Sequence, residues 1–292
     1  MIPTLNSATA GGGLALAEYV ALAQRHNFVG VEFSIEAVAE QVAARGFHDV
    51  AAIFETNKVL PVVFGLPVEW RKDEETFQSG LAQLPQLAKL AQDLDCSRCT
   101  TYVMPDSGEP VAEYAARSKR RFAEIGRVLT EQGVRFGLEF LGPKHFRANP
   151  ANVWFYDIPG ALQVVAEIED SAQLENMGLL VDCWHWYTSG GTPMDLASIP
   201  VEKVIHVHIN DAPQVERDEQ VDSVRLLPAA SGVIDITAFL KTLAAIGFDG
   251  PVAVETFSEE LRALAPDEAA ARASTAVMQV FNAAEVTPLR LL

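Results

Sequence analysis

Short apolar segments alternate with longer helical patterns along the whole sequence, and this alternation limits the folds that the chain can adopt. The strand-like segments are residues 3–7, 30–34, 59–64, 99–104, 134–141, 178–184, 203–209 and 252–255. Helical periodicity separates most of them, over residues 14–25, 74–94, 113–131, 160–168, 236–246 and 267–284. The sequence therefore contains about eight β–α units, which average roughly 36 residues each.

Units of this number and size fit an α/β fold, the (β/α)8 TIM barrel, which typically has about 250 residues. The structural alternative is a doubly wound open sheet, which normally carries a Gly-x-Gly-x-x-Gly turn after its first strand. The glycine cluster at residues 11–13 lacks that spacing. We therefore predict a single (β/α)8 barrel domain over residues 1–292. Pro85 falls inside one helical segment and predicts a kink there or a break into two helices.

The charge of the chain narrows the choice of partners. It has 39 acidic and 22 basic residues, a net charge of −17. Such a surface repels phosphate backbones and anionic lipids, so we expect neither nucleic acid nor a membrane as partner. No apolar stretch is long enough to span a bilayer, and the N-terminus lacks the basic region of a secretory signal. The three cysteines are too few for a disulfide framework, which favours a cytoplasmic setting.

Four successive predicted strands end in a carboxylate or an imidazole. The four side chains are Glu139, Asp182, His208 and Glu255. The carboxyl ends of barrel strands converge on the active-site face, so we expect these groups to meet at metal-ligand distance. A single strand-end carboxylate is commonly a helix cap, but four in succession favour a metal site over unlinked caps and ion pairs. Three carboxylates and one imidazole suit Mn²⁺, Mg²⁺ or Co²⁺, while Zn²⁺ accepts such ligands but suits them less.

The same segments resemble the xylose-isomerase-like TIM-barrel superfamily of sugar isomerases and epimerases, and within it the inosose (2-keto-myo-inositol) isomerase-like branch. Order and spacing agree over residues 134–257, whereas the N-terminal half shares the rhythm without a sharp motif. The motifs are residues 138–143 (Leu-Glu-Phe-Leu-Gly-Pro), 181–187 (Val-Asp-Cys-Trp-His-Trp-Tyr), 208–211 (His-Ile-Asn-Asp), 225–235 and 254–255 (Val-Glu).

The resemblance implies roles for individual residues. It makes the four strand-end side chains the ligands of one divalent ion. It implies that His185 reaches the oxygens of the substrate and that Arg225 binds a hydroxyl or carbonyl oxygen. In the family a Pro-Gly pair follows the arginine after two residues, whereas this sequence has Pro228, Ala229 and Ala230. Barrels of the family often pair, so a homo-oligomer is also implied, although no patch in the sequence indicates one.

The resemblance and the metal site together imply a metal-dependent isomerase or epimerase of a small polyol ketone or ketose. A metal ion that chelates a carbonyl and its neighbouring hydroxyl acidifies the carbon between them and stabilises the resulting enediolate. Two facing carboxylates can then remove a proton and return it to the other face or to the adjacent carbon. Glu139 and Glu255 are our candidates for this catalytic pair.

Three other functions compete with isomerisation. A dehydratase of the inosose or dehydroshikimate type begins with the same enediolate and then expels water. A class of AP endonucleases shares the barrel, but it gathers three zinc ions with extra histidines on the third and fourth strands. Here those strands have no histidine at residues 63–64 or 101–102. The third alternative is a sugar-binding protein without catalysis, and the complete set of site residues argues against it.

Other residues have both a structural and a functional interpretation. Glu32 ends the second strand and fits either a pocket residue or a structural ion pair. His206 faces the same side of its strand as His208, one layer deeper, which favours a hydrogen-bonded core histidine. Residues 142–159 are too long for an ordinary connector and form a candidate lid, in which His145 is expected at the surface.

The cysteine pair and the aromatic residues near the predicted site also have two interpretations. Cys96 and Cys99 have Cys-x-x-Cys spacing but no second pair for zinc and no thioredoxin-like context, so we interpret them as ordinary thiols. The aromatic residues can either wall the pocket or pack against helices, and the set is Phe64, Trp70, Trp184, Trp186 and Tyr187.

Overall fold

The computed structural model describes residues 1–10 and 12–291. Its strands are β1 (Ile2–Leu5), β2 (Gly30–Phe33), β3 (Leu60–Gly65), β4 (Arg98–Val103), β5 (Arg135–Phe140), β6 (Met177–Asp182), β7 (Val204–Ile209) and β8 (Pro251–Val254). They are parallel and close into a barrel in chain order, with β8 paired to β1. The predicted (β/α)8 TIM barrel is confirmed.

Helices follow the strands, and short 3-10 turns occur in the loops. The helices are α1 (Ser7–Ala10), α2 (Leu16–Arg25), α3 (Ile35–Arg45), α4 (Phe47–Asn57), α5 (Glu74–Asp93), α6 (Val111–Glu131), α7 (Ile158–Ala172), α8 (Cys183–Ser189), α9 (Pro193–Ala197), α10 (Ile236–Ala245), α11 (Glu259–Arg262) and α12 (Pro266–Ala283). Two connections on the active-site face are long, residues 141–157 after β5 and residues 210–235 after β7. Long loops on this face carry the site in barrel enzymes.

Polar side chains set where several helices begin. Ser34 caps α3 by accepting a hydrogen bond from the Ala37 amide at 3.1 Å, and Asp73 caps α5 in the same way. Parallel strands are covered on both faces, and β6 and β7 accordingly bury every residue.

Of the kink or break predicted at Pro85, the break into two helices does not occur, because α5 runs without interruption from Glu74 to Asp93, and the kink stays a prediction. An interior proline costs a helix about 3 kcal/mol. Leu84, Ala88 and Ala91 are buried on the inner face of α5. Burying a leucine side chain alone stabilises by about 2 kcal/mol, so the packing of this face offsets much of the cost of Pro85.

The sixth strand is shorter than predicted. The apolar segment 178–184 indicated a strand through Trp184, but β6 ends at Asp182 and α8 begins at Cys183. The cause is local, because Asp182 Oδ1 accepts the amide hydrogen of Trp184 at 2.7 Å and so caps the helix.

Across the described residues, no helix is both long enough and apolar enough to cross a membrane.

Candidate metal centre

Four side chains from adjacent strands meet at the carboxyl end of the barrel. Glu139 lies on β5, Asp182 ends β6, His208 lies on β7, and Glu255 follows β8 directly. One ligand atom from each lies within 4.8 Å of all the others. His208 Nδ1 is 3.3 Å from Glu255 Oε2, 3.8 Å from Asp182 Oδ2 and 3.9 Å from Glu139 Oε1. The structure thus brings together the four predicted ligands.

The free atoms of this cluster fit a divalent ion. Glu139 Oε1 and His208 Nδ1 are buried and have no hydrogen-bond partner. Orphaned polar atoms of this kind are costly unless something binds them. Two ligands on opposite sides of an ion, each about 2.1 Å away, lie about 4.2 Å apart. The distances from His208 Nδ1 satisfy that limit, so the donor set could hold one ion.

Burial and mutual repulsion change the acidity of the carboxylates. Burial raises the pKa of Glu139 well above its usual 4.5, and the charges of Glu255 and Asp182 act in the same direction. Burial likewise raises the pKa of Asp182. Burial would also raise the pKa of Glu255, but the neighbouring His208 and Arg225 lower it. Burial therefore disfavours the charged forms of Glu139 and Asp182 in the metal-free protein, and a bound cation would favour those forms.

Arg225 lies inside this cluster. It comes from the loop after β7, is 2 % exposed, and donates from Nη1 to Asp182 Oδ2 at 2.8 Å and to Glu255 Oε2 at 2.7 Å. Its Nη2 donates to Asp222 Oδ1 at 2.6 Å. Arg225 therefore fixes two of the candidate ligands, and its predicted contact with a substrate oxygen stays a prediction.

His185 lies on α8, three residues after Asp182, and is fully buried. Its Nδ1 accepts the Gly142 amide hydrogen at 3.3 Å. Its Nε2 lies 3.6 Å from Glu139 Oε1 and 3.1 Å from Arg225 Nη2. Burial lowers the pKa of His185 well below 6.5, and the charge of Arg225 lowers it further. A neutral imidazole is therefore placed beside the cluster.

The loop that carries Arg225 contains a left-handed backbone position that is typical of glycine but is occupied here by alanine. Ala229, at the position where the resembled family has glycine, has φ = +61°. A residue with a Cβ in this left-handed region costs about 1 kcal/mol more than glycine. The departure from the family pattern therefore changes the strain of the turn.

We expect Ala229→Gly to raise the free energy of unfolding by about 0.5–1 kcal/mol, because it relieves this strain. Urea denaturation would measure the change. Ala230→Gly is the matched control, because Ala230 is not among the positive-φ residues. That control should be neutral or destabilising. An Ala229→Gly variant no more stable than the control would contradict the account of the turn.

Sequence reasoning missed three polar residues at the site, because Asn6 and Asn210 contact candidate ligands and Asp222 contacts Arg225. Asn6 Nδ2 lies 3.2 Å from both Glu32 Oε2 and Glu255 Oε1. Asn210 Nδ2 donates to Asp182 Oδ1 at 3.2 Å. The rule used for the ligands could have found Asn6 and Asn210, because they follow β1 and β7 directly. Asp222 depends on loop geometry, for which the sequence has no periodic signal.

Glu32, His206 and His145, which the sequence left open to a structural or a functional role, lie in three different environments. Glu32 is hydrogen-bonded to His206 and His208 and also lines a groove at the barrel mouth. His206 is fully buried and hydrogen-bonded to Glu32. His145 is exposed and packs on Phe146 within the loop after β5.

The aromatic set belongs mostly to the core. Phe64, Trp70, Trp184 and Trp186 are buried in the hydrophobic core cluster, and Tyr187 is half-buried against it.

The three cysteines, Cys96, Cys99 and Cys183, are free and buried. Burial raises the pKa of the Cys96 thiol to about 12, which disfavours the reactive thiolate and agrees with an ordinary thiol.

Glu139 should make the stability of the metal-free protein depend on pH. Between pH 4.5 and its raised pKa, the folded state holds a proton on Glu139 that the unfolded state has lost. Stability attributable to this group therefore falls as the pH rises through that interval. Thermal unfolding after chelator treatment would measure this effect. The stability of the Glu139→Gln variant should lack this pH dependence and should be higher than that of wild type at neutral pH. Equal pH profiles would contradict a protonated Glu139.

The fold and the cluster together define a class, the (β/α)8 barrels with a candidate metal centre at the carboxyl ends of their strands. The chain belongs to the xylose isomerase-like TIM barrel family, whose sequence profile matches residues 20–280.

Characterised relatives are similar at low identity. An inosose isomerase of Halalkalibacterium halodurans is 21% identical over 251 residues, covering 85% of each chain. A 3-dehydroshikimate dehydratase of Pseudomonas aeruginosa is 30% identical over 167 residues, which cover 56% of this chain but 24% of that protein. The relatives of this barrel are therefore enzymes.

Solved structures agree in fold over nearly the whole chain. A xylose isomerase domain protein from Alicyclobacillus acidocaldarius superposes with a TM-score of 0.87 at 28% identity, covering 98% of this chain and 99% of that one. The IOLI protein, solved with a binding zinc atom, superposes with a TM-score of 0.81 at 22% identity, covering 99% and 100%. The second comparison supports the fold alone.

Proposed function

We propose that this chain is a divalent-metal-dependent isomerase or epimerase of a small polyol ketone or ketose, an inosose-like or sugar substrate, and that the reaction passes through an enediolate. The observation that carries the proposal is the cluster of Glu139, Asp182, His208 and Glu255, with two orphaned ligand atoms. The inosose isomerase similarity supports the substrate class.

The residues around the cluster have distinct tasks in this reaction. A divalent ion held by the four ligands would polarise a substrate carbonyl and its neighbouring hydroxyl and stabilise the enediolate. Glu139 and Glu255 would move the proton, one removing it from carbon and the other returning it. His185 and Arg225 would hold substrate oxygens, because both place nitrogen atoms beside the ligand oxygens.

Mn²⁺, Mg²⁺ and Co²⁺ are the ions we propose first, because three of the four ligands are carboxylates. Zn²⁺ remains in the set, and the zinc-bound structural neighbour supports its inclusion. A cytoplasmic setting belongs to the same proposal and is supported by three buried, unpaired cysteines.

Dehydration is the second candidate, and the similarity to a 3-dehydroshikimate dehydratase supports it. Both reactions begin with proton removal beside a carbonyl, so the same four ligands serve either one. The two differ in the next step, because a dehydratase expels a hydroxyl group as water. Mass spectrometry of the product separates them, since an isomer keeps the substrate mass and a dehydrated product loses one water.

The first test is the metal content of the purified chain by elemental analysis, before and after dialysis against Mn²⁺. We expect about one equivalent per chain, and we expect Glu139→Ala/His208→Ala to lose it because half of the ligands are gone. Screening of the loaded protein against inososes and ketoses should then show product of unchanged mass.

Three outcomes would change the assignment. Wild-type protein without metal after dialysis would overturn the proposed centre and favour a sugar-binding role. Three zinc ions per chain would favour phosphodiester cleavage. Turnover with loss of water would replace the isomerase by the dehydratase.

A further inference from the structure

Glu32 connects two histidines of β7 through a single oxygen atom. Its Oε1 lies 3.0 Å from His206 Nε2 and 3.0 Å from His208 Nε2. The imidazole rings of the two histidines are perpendicular, with centroids 4.8 Å apart. Both histidines are buried, and Glu32 retains 17% exposure at the edge of the barrel mouth. A carboxylate accepts hydrogen bonds only, so each imidazole carries its proton on Nε2 here.

Asn6 holds the other oxygen of Glu32 in place. Asn6 Oδ1 accepts the amide hydrogen of Ala8 at 2.7 Å, which directs its Nδ2 toward the carboxylates. Nδ2 then lies 3.2 Å from Glu32 Oε2 and 3.2 Å from Glu255 Oε1. Glu32 is therefore fixed from both sides, and through Asn6 it is also linked to a candidate ligand.

The tautomer of His208 is set by this arrangement. A neutral imidazole has one N–H and one lone pair, so a proton on Nε2 leaves the lone pair on Nδ1. Nδ1 is the atom that faces Asp182, Glu139 and Glu255, and it has no hydrogen-bond partner. Carboxylates that bind the second nitrogen of a ligating histidine orient the ring and strengthen it as a ligand.

We propose that Glu32 is a positioning residue of the metal centre: it accepts the Nε2 protons of His206 and His208 and thereby presents His208 Nδ1 to the ion. This inference rests on the proposed function, because it requires the four-ligand centre.

The same geometry decides how many ions the chain holds. Glu32, His206 and His208 also lie close enough together to bind an ion of their own. A neutral His208 cannot serve both positions, since its one lone pair already faces the four-ligand centre. The Nε2 protons therefore keep Glu32 as a hydrogen-bond acceptor, and the chain holds one ion.

Mn²⁺ and Zn²⁺ titrations of chelator-treated protein test this role directly, with affinity and stoichiometry as readouts that do not depend on turnover. We expect Glu32→Gln to bind one equivalent about 10–100-fold more weakly than wild type, because a neutral amide oxygen is a weaker acceptor for the two imidazole N–H groups than a carboxylate oxygen, and the amide nitrogen would face the Asn6 Nδ2 donor. The Co²⁺ absorption spectrum should shift, since the orientation of one ligand changes.

Two control variants separate positioning from charge and from packing. Glu36→Gln removes the same charge from the groove that Glu32 lines, and its affinity should equal that of wild type. His206→Gln removes the second imidazole but keeps the Glu32–His208 hydrogen bond, so its affinity should stay within about threefold, well short of the loss expected for a residue that orients a ligand. Circular dichroism of all variants checks that the fold is retained.

The possible negative results distinguish a failure of the proposed function from a failure of the role of Glu32. Wild-type protein that binds no ion would overturn the proposed function together with this inference. Wild-type binding of one ion with unchanged affinity in Glu32→Gln would overturn this inference alone. An equal loss in Glu36→Gln or His206→Gln would also overturn it, and a second ion lost only in His206→Gln would show that Glu32 is itself a ligand.

Discussion

Turnover of a ketose or inosose should fall at least about a thousandfold when the protein is treated with a chelator, and Mn²⁺ should restore it. Polarisation of a carbonyl by a bound cation contributes several kcal/mol to transition-state stabilisation, and 1.4 kcal/mol corresponds to a factor of ten in rate. In this chain the cation would also stabilise the charged forms of three buried carboxylates, Glu139, Asp182 and Glu255. The measurement is initial rate against free metal concentration.

Thermal unfolding gives an independent readout of the same treatment. A ligand at a thousand times its dissociation constant stabilises the folded state by about 4 kcal/mol. For a domain of this size that corresponds to a rise in Tm on the order of 8 °C. The Glu139→Ala/His208→Ala variant should show neither the rise in Tm nor the rescue. Full turnover after exhaustive chelation would contradict a metal-dependent reaction.

The fold could be predicted from the sequence because the same pattern of hydrophobic residues recurs along the chain. Each β–α unit contributes an apolar strand and an amphipathic helix, so errors at single positions do not change the architecture. Errors occurred where a local interaction competes with periodicity. Trp184 belongs to an apolar run, yet its amide binds the Asp182 side chain and the chain turns into a helix. Pro85 breaks the local rule, but the packing of α5 maintains the helix.

The ligand cluster was predictable for a related reason. Strand ends in a barrel converge, so the position of Glu139 or His208 along the sequence determines its position in space. Glu32 was harder to interpret, because its partners His206 and His208 lie across the barrel on β7. No rule of spacing joins residues 174 positions apart in the chain. The loop partner Asp222 lies in a turn in which the Val224 amide donates to the Val221 carbonyl oxygen at 3.0 Å, and no periodic pattern in the sequence predicts that turn.

Hydrogen exchange with the solvent should separate the roles of Glu139 and Glu255 in catalysis. We expect Glu139→Gln and Glu255→Gln each to reduce turnover by about 10²–10⁴-fold at saturating metal, because a general acid or base contributes that much. The amide oxygen can still bind a cation, so elemental analysis should find the ion retained. Loss of turnover with the ion in place assigns the effect to proton transfer.

The two variants should differ when the reaction is run in D₂O. The variant that lacks the base cannot remove the substrate proton, so its substrate should stay unlabelled. The variant that lacks the acid still forms the enediolate and returns a solvent deuteron to the original face, so deuterium should enter the substrate without new product. Glu36→Gln, an exposed carboxylate of the same barrel mouth, should match wild type in both assays. If either variant of the pair keeps both the ion and full turnover, the assignment of Glu139 and Glu255 as a catalytic pair is wrong, because neither carboxylate could then be required to move the proton.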